Sequence, residues 1–116
     1  MAIFDNYTTG NKYVSEYGNP DVKEEYVSLL SYSPYQNIKE GVNYPATLII
    51  TGDNDDRVPP LHSYKFAARL QNRAAQTNPV YLKSIKKSGH NGTVNYNGSI
   101  TDEAEFYSFL MYHLNR

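Results

Sequence analysis

The sequence contains no cysteine and no tryptophan, and the first absence narrows the chemistry of the chain. Without cysteine there can be no disulfide, no thiol nucleophile and no zinc site built from thiolates. The first ten residues, MAIFDNYTTG, also lack the basic and apolar regions of a secretory signal. Because proteins of the periplasm can lack cysteine as well, the localisation stays open between cytoplasm and periplasm.

Charge of one sign and long apolar runs are missing too. Eleven basic and twelve acidic residues give a net charge of −1, and the basic residues are scattered. This pattern predicts no nucleic-acid partner, because such partners require a basic patch. No run of about 18 apolar residues is present, so we predict no membrane-spanning helix. With 116 residues, 40% of them hydrophobic, the chain has the size and composition of one small globular domain.

Tyrosine is unusually frequent, with twelve tyrosines against four phenylalanines. A tyrosine ring can pack against protein while its hydroxyl stays in contact with water, so tyrosines are frequent on half-buried surfaces. The excess therefore indicates a surface that meets another piece of protein.

The stretch Ala46 to Ser63, ATLIITGDNDDRVPPLHS, organises the rest of the chain. Its apolar run from Leu48 to Ile50 predicts a strand buried on both faces, as in parallel sheets. Gly52 ends the run, and an acidic loop containing Asp53, Asp55 and Asp56 follows. The carboxyl end of a parallel strand is where α/β sheets place their functional groups.

Further helices and strands are predicted from the spacing of apolar residues and from the capping and helix-breaking residues between them. The sequence predicts a short strand at Ala2–Phe4; a helix capped by Asn19 and stopped by Ser33-Pro34; a helix from Pro60 or Leu61 to about Ala75; a strand at Val80–Ile85; and a helix capped by Thr101. The predicted buried stripe of that last helix is Phe106, Phe109, Leu110, His113 and Leu114. The fold class is therefore α/β, with two parallel strands joined by a right-handed crossover and flanked by helices.

A histidine loop follows the second predicted strand, at Lys86 to Gly92, and contains His90. Since parallel strands end at the same edge of a sheet, His90 is expected to lie beside Asp55 or one of its neighbours. A paired Asp and His are two of the three members of a Ser-His-Asp triad. The order Asp then His along the chain also matches α/β-hydrolases, in which the serine comes first.

Other interpretations of these two loops stay open. An Asp-rich loop is often a solvated turn or a helix cap, and a Gly-His-Asn-Gly turn is often an ordinary loop. Asp53-Asn54-Asp55 also resembles the motif of aspartyl-phosphate phosphatases, although Gly52 intervenes after the strand. The EF-hand interpretation fails because the loop lacks the required glycine and closing glutamate. His62 and His113 lie at helical positions and are expected to be packed or surface residues.

The nucleophile of a triad cannot be found in the sequence. None of the nine serines lies in the Gly-x-Ser-x-Gly pattern of a nucleophile elbow. Two strands alone would also leave a sheet with open edges. The sequence therefore predicts the C-terminal portion of an α/β-hydrolase fold, with residues 1–116 forming a partial catalytic domain.

The segment DDRVPPLHSYKF, from Asp55 to Phe66, resembles the prolyl oligopeptidase family of serine peptidases. Tyr32 to Ile38 and the Lys87 to His90 segment extend the resemblance over nearly the whole chain. It implies that Asp55 and His90 are catalytic and that Arg57 binds the substrate backbone near proline. It also implies cleavage of short peptides after proline without a metal or cofactor, and a nucleophile segment and β-propeller that are absent here.

Two functional hypotheses follow. In the first, the chain is the C-terminal fragment of a prolyl oligopeptidase-like peptidase, inactive alone because it lacks the serine. In the second, it is a free-standing interaction module that reuses the fold and pairs its exposed sheet edge or its tyrosine-rich face with itself, as a homo-oligomer, or with a partner. Another α/β-hydrolase activity, such as that of an esterase, is disfavoured by Arg57 and the Pro-Leu-His-Ser run.

Overall fold

A computed structural model describes residues 4–7, 9–93 and 96–114 of the chain. Two short 3-10 helices, at Phe4–Asn6 and Gly10–Tyr13, come first. They are followed by α1 (Val14–Tyr17), α2 (Lys23–Tyr32), β1 (Thr47–Gly52), α3 (Leu61–Gln71), β2 (Val80–Ile85) and α4 (Tyr96–Leu114). Of the strand predicted at Ala2–Phe4, the first two residues lie outside the described residues, and Phe4 begins a 3-10 helix.

β1 and β2 form a two-stranded parallel sheet, as the sequence predicted. Thr47 is opposite Val80 at one end, and Gly52 is opposite Ile85 at the other. α3 connects the two strands and packs against both. Since the register has no offset, both strands end at the same edge, and the loops that follow them start side by side.

The hydrophobic core is small and lies around α2 and α3. The buried apolar residues of the described part of the chain are Leu29, Ile38, Ala67 and Leu70. β1 was expected to be buried on both faces, but Ile50, at its middle, is 43% exposed. Among the described residues, one face of β1 is therefore only partly covered, which is a difference from the prediction.

α2 begins later than its predicted cap. Asn19 Oδ1 accepts a hydrogen bond from the Asp21 N–H at 2.9 Å, and Val22 N–H donates to the Asn19 carbonyl oxygen at 3.1 Å. These bonds close a turn before the helix, so Asn19 caps the turn and the helix starts at Lys23. The predicted stop holds, because the helix ends at Tyr32, just before Ser33-Pro34.

α3 is also shorter than predicted, and ends at Gln71 rather than near Ala75. Asn72 Nδ2 donates to the Ala68 carbonyl oxygen at 2.7 Å, at the point where the helix stops. The same carbonyl oxygen also accepts the Asn72 backbone N–H at 3.1 Å, so the Asn72 side chain bonds back to the helix where it ends.

α4 begins at Tyr96, five residues before its predicted cap. Thr101 Oγ1 donates to the Asn97 carbonyl oxygen at 3.1 Å, so Thr101 lies inside the helix and does not cap it. The predicted buried stripe is wrong in part, because Phe106 is 40% and Leu114 is 75% exposed. The half-buried members of the stripe are Phe109, Leu110 and His113. No helix in the described part of the chain is long and apolar enough to span a bilayer.

Candidate active site

The loops that follow β1 and β2 contact each other through their backbones. Asp53 N–H donates to the Ile85 carbonyl oxygen at 3.1 Å, and Asn54 N–H donates to the Ser88 carbonyl oxygen at 3.0 Å. Gly52 makes this approach feasible, because it has no Cβ to collide with the backbone of Ser88 and Gly89. The two loops therefore continue the pairing of the strands beyond the sheet.

This pairing brings Asp55 and His90 together, as the sequence predicted for an aspartate and a histidine at the same sheet edge. His90 Nδ1 lies 2.9 Å from Asp55 Oδ2. The other carboxylate oxygen, Oδ1, accepts hydrogen bonds from the backbone N–H of Arg57 at 3.0 Å and of Val58 at 2.8 Å. Both oxygens are thus engaged, and the carboxylate is held in one orientation.

The environment of Asp55 favours its charged form. Burial, which leaves 9% of the side chain exposed, would by itself raise the pKa of the carboxyl group. The hydrogen bonds from Val58, His90 and Arg57 and the charge of a protonated His90 act in the opposite direction. The net result is a pKa below the ordinary value, so Asp55 is a carboxylate at neutral pH.

His90 lies in a tight turn between Gly89 and Gly92. Gly92 N–H donates to the Gly89 carbonyl oxygen at 3.3 Å, and Gly92 has a φ of +80°, which a residue with a side chain rarely adopts. Asp55 accepts from Nδ1–H of the neutral ring, so that Nε2 carries the lone pair. The side chain of His90 is 39% exposed and lines a cavity, so the ring is not enclosed by protein.

Two cavities lie next to this pair. The smaller, about 230 Å³, is lined by Asp55 and His90 together with Val58 and Ser63. The larger, about 620 Å³, is mostly apolar and contains Arg57 in its wall. Val58 and Ser63 line both cavities. Arg57 therefore lines the neighbouring cavity, while its backbone N–H donates to Asp55 Oδ1.

His62 belongs to the wall of the larger cavity, a position that the sequence did not predict. Its ring meets the Tyr7 ring edge to face, with centroids 5.7 Å apart. Burial and the charge of nearby Lys65 lower the pKa of His62 below the ordinary value. The position of His62 near the site could have been predicted from the sequence, because His62 lies in the first turn of the helix that directly follows the acidic loop.

Asp53 belongs to the same acidic loop as Asp55, but its side chain does not contact His90 in the way that Asp55 does. Asp53 Oδ1 accepts the backbone N–H of Ser88 at 3.3 Å, so it links the two loops. Among the described residues, no group of three or more His, Asp or Glu side chains is arranged to hold a metal ion.

The fold and the paired loops are those of an α/β-hydrolase domain. Comparison with known proteins identifies the family to which this domain belongs. A sequence profile described as "Prolyl oligopeptidase family" matches residues 2–116. The chain therefore belongs to the prolyl oligopeptidase family, as the DDRVPPLHSYKF segment had indicated.

Relatives with a curated description agree with this assignment. The chain is 38% identical over 115 residues to the prolyl endopeptidase of Elizabethkingia miricola, covering 98% of this chain and 16% of that protein. It is 38% identical over 117 residues to the prolyl endopeptidase of Dictyostelium discoideum, covering 96% of this chain and 15% of that protein. The chain thus spans about one sixth of the length of the curated relatives that it matches.

Solved structures show the same fold. A prolyl endopeptidase structure superimposes with a TM-score of 0.94 at 33% identity, over 99% of this chain and 17% of that one. Prolyl oligopeptidase B from Galerina marginata, bound to a 35mer hydrolysis and macrocyclization substrate, superimposes with a TM-score of 0.86 at 34% identity. That match covers 99% of this chain and 16% of the Galerina chain. The prediction of an α/β-hydrolase fold is confirmed.

Proposed function

We propose that this chain is the C-terminal portion of the catalytic domain of a prolyl oligopeptidase-like serine peptidase, and that Asp55 and His90 are two members of its Ser-His-Asp triad. The observation that carries the proposal is the 2.9 Å contact between His90 Nδ1 and Asp55 Oδ2. This contact fixes the tautomer that a general base requires.

The reaction assigns one task to each group. His90 Nε2 takes the proton from the serine hydroxyl as the oxygen attacks the scissile carbonyl, and later gives that proton to the leaving amine. Asp55 stays ionised and stabilises the imidazolium that forms in between. The serine is supplied by polypeptide outside the 116 residues, because no serine of this chain lies in a nucleophile elbow. The chain alone is therefore inactive.

The proposed substrate is a proline-containing peptide, cleaved after proline. The relatives' names support this, since they are prolyl endopeptidases and prolyl oligopeptidases. The Galerina enzyme has been solved with peptide substrates in variants in which one histidine, one serine or one aspartate is alanine. Arg57 is proposed to bind the substrate backbone from the wall of the larger cavity, next to the Asp55–His90 pair.

A chimaeric enzyme tests the proposal. The 116-residue chain replaces the matching segment of the Elizabethkingia miricola prolyl endopeptidase, and cleavage of a chromogenic peptide after proline is measured. We expect activity in the chimaera and none in the chain alone. His90→Ala should lower kcat at least about 10⁴-fold, because the proton acceptor is lost.

His113→Ala serves as the matched control in the same chimaera. His113 lies on α4, where its ring packs against Phe109 with centroids 4.7 Å apart, away from the Asp55–His90 pair. We expect it to keep kcat within a few-fold. Full activity of the His90→Ala chimaera, or equal losses in both variants, would contradict the assignment.

A second candidate function is self-association, which the exposed apolar surface favours. On α4, Tyr107 is 57%, Met111 is 65% and Leu114 is 75% exposed, and Ile50 on β1 is 43% exposed. Unpaired strand edges and exposed apolar patches both promote association. Light scattering of the isolated chain tests this. A concentration-dependent dimer that Met111→Glu weakens would support the interaction module, and a monomer at high concentration would reject it.

A further inference from the structure

The His90 turn is anchored at both of its ends by carboxylates from other elements. Ser88, at its start, is fully buried; its N–H donates to Asp53 Oδ1, and its carbonyl oxygen accepts from Asn54. Thr93, at its other end, bonds to Asp102 of α4. The first anchor belongs to the loop that carries Asp55. The second comes from a helix that the catalytic proposal does not use.

The second anchor is a chain of three side chains. Thr93 Oγ1 donates to Asp102 Oδ2, and Asp102 Oδ1 accepts from Lys83 Nζ at 2.7 Å. Lys83 lies in the middle of β2, opposite Ile50 of β1. Asp102 therefore joins the end of the His90 turn to the sheet, with each carboxylate oxygen engaged by a different partner.

The charges and the partial burial of Lys83 and Asp102 favour a stable contact between these two side chains. The side chains of Lys83 and Asp102 are 18% and 25% exposed. Hydrogen bonds from Lys83 and Thr93 lower the pKa of Asp102 despite its partial burial. Burial would lower the pKa of Lys83, but its bonds to Asp102 and Glu105 outweigh burial and raise it. Both groups are charged at neutral pH.

We propose that Asp102 is a positioning residue for His90, acting through Thr93. Only two residues separate His90 from Thr93, so a displacement of Thr93 moves the turn. The imidazole is 39% exposed, and packing alone does not fix its orientation. A triad histidine must be held within about 0.5 Å of its productive geometry by supporting residues. The inference rests on the proposed function, since it names a support for the proposed general base.

Nitrogen-15 NMR of the 116-residue chain tests the connection directly. In mildly alkaline buffer, the ring-nitrogen chemical shifts of His90 report which nitrogen carries the proton. In the unmodified chain we expect the Nδ1–H tautomer to dominate, because Asp55 accepts from it. Asp102→Asn and Thr93→Val should both shift the population toward Nε2–H, with at least a two-fold change in the tautomer ratio.

Glu105→Gln is the matched control, because Glu105 also bonds to Lys83, whereas the hydrogen bond of Thr93 is to Asp102. It should leave the His90 shifts unchanged, and circular dichroism should show α4 intact in all three variants. Thr93→Val keeps the Lys83–Asp102 pair, so it still tests the proposal if Asp102→Asn unfolds. Unchanged shifts in both test variants, or an equal change in Glu105→Gln, would overturn it.

The chimaeric enzyme separates this inference from the proposed function. Asp102→Asn should lower kcat roughly ten-fold with little change in KM, and Asp102→Glu should recover part of the loss. If the NMR shifts respond but His90→Ala keeps full activity, the positioning contact exists and the catalytic proposal fails. If His90→Ala is inactive and Asp102→Asn changes neither shifts nor kcat, the positioning role alone is rejected.

Discussion

A Cβ atom on Gly52 would lie 2.4 Å from the Ser88 carbonyl oxygen. Gly52 is the last residue of β1, and Ser88 lies three residues after the end of β2. Real side chains essentially never approach a backbone oxygen so closely. The absence of a side chain at one position thus allows the two loops, and with them Asp55 and His90, to meet.

Gly52→Ala is therefore expected to separate the two loops. The added methyl group meets backbone atoms that cannot rotate away, so we expect a loss of about 1–3 kcal/mol in the free energy of unfolding, as for other overpacked sites. Gly41→Ala is the control, because a Cβ there has nothing within 4 Å. Urea unfolding of both variants gives the comparison. Equal stability of the two would show that the loops tolerate separation.

The sheet and the paired loops could be predicted because their signals are local. The apolar run at Leu48–Ile50 and the pattern of Val80 to Ile85 mark the two strands, and the distance between them allows a helical connection. Parallel pairing then requires that the acidic loop and the His90 loop share an edge. The structure reproduces the β2 boundaries and the contact of Asp55 with His90.

The start of α4 was predicted wrongly, and this part of the helix bonds to residues outside it. Threonine is a residue type that often caps helices, as predicted for Thr101. Asp102 beside it bonds to Lys83 of β2 and to Thr93. Neither partner lies within one helical turn, so no pattern within the α4 sequence could indicate them. The buried stripe failed for a related reason, since burial of Leu114 needs a neighbouring surface that the described residues do not supply.

Acid should weaken the fold partly through Asp55. Its pKa is lower in the folded chain than the ordinary value of 3.8. As the pH falls, Asp55 therefore takes up a proton in the unfolded chain before it does so in the folded chain. The contribution of Asp55 to the free energy of unfolding is complete above about pH 5 and is lost as the pH falls through the folded pKa. In urea titrations between about pH 5 and pH 3, Asp55→Asn should lose less stability than the unmodified chain. Parallel curves would show that Asp55 has the same pKa in both states.

His62 should produce a second pH effect of a different origin. Burial and Lys65 lower its pKa in the folded chain below the ordinary 6.5, so the unfolded state binds its proton more readily. The resulting loss of stability is absent above about pH 7 and grows as the pH falls toward the folded pKa. His62→Gln should therefore make the free energy of unfolding depend less on pH between about pH 7 and pH 5. Thermal unfolding at several pH values measures the slope, and an unchanged slope would refute the role of His62.

Arg73 holds the loop before β1 against the end of α3. Only 5% of it is exposed, and its guanidinium donates to the carbonyl oxygens of Lys39 and Val42, the latter at 2.8 Å. It also donates to Gln76 at 2.6 Å and lies over the Tyr44 ring at 4.7 Å. Because lysine cannot reproduce this planar fork, Arg73→Lys should leave buried carbonyls unsatisfied and cost about 2–4 kcal/mol of unfolding free energy.

The same substitution at Arg69 separates this geometric effect from a general preference for arginine. Arg69 lies over the Tyr35 ring at 4.8 Å and is 3.9 Å from Glu40, whose side chain is 72% exposed. A surface pair of this kind contributes little, so Arg69→Lys should change stability by less than about 0.5 kcal/mol. Urea unfolding of both variants at one pH gives the difference. If the two substitutions cost the same, the bonds of Arg73 to the loop carbonyls do not hold the segment that leads into β1.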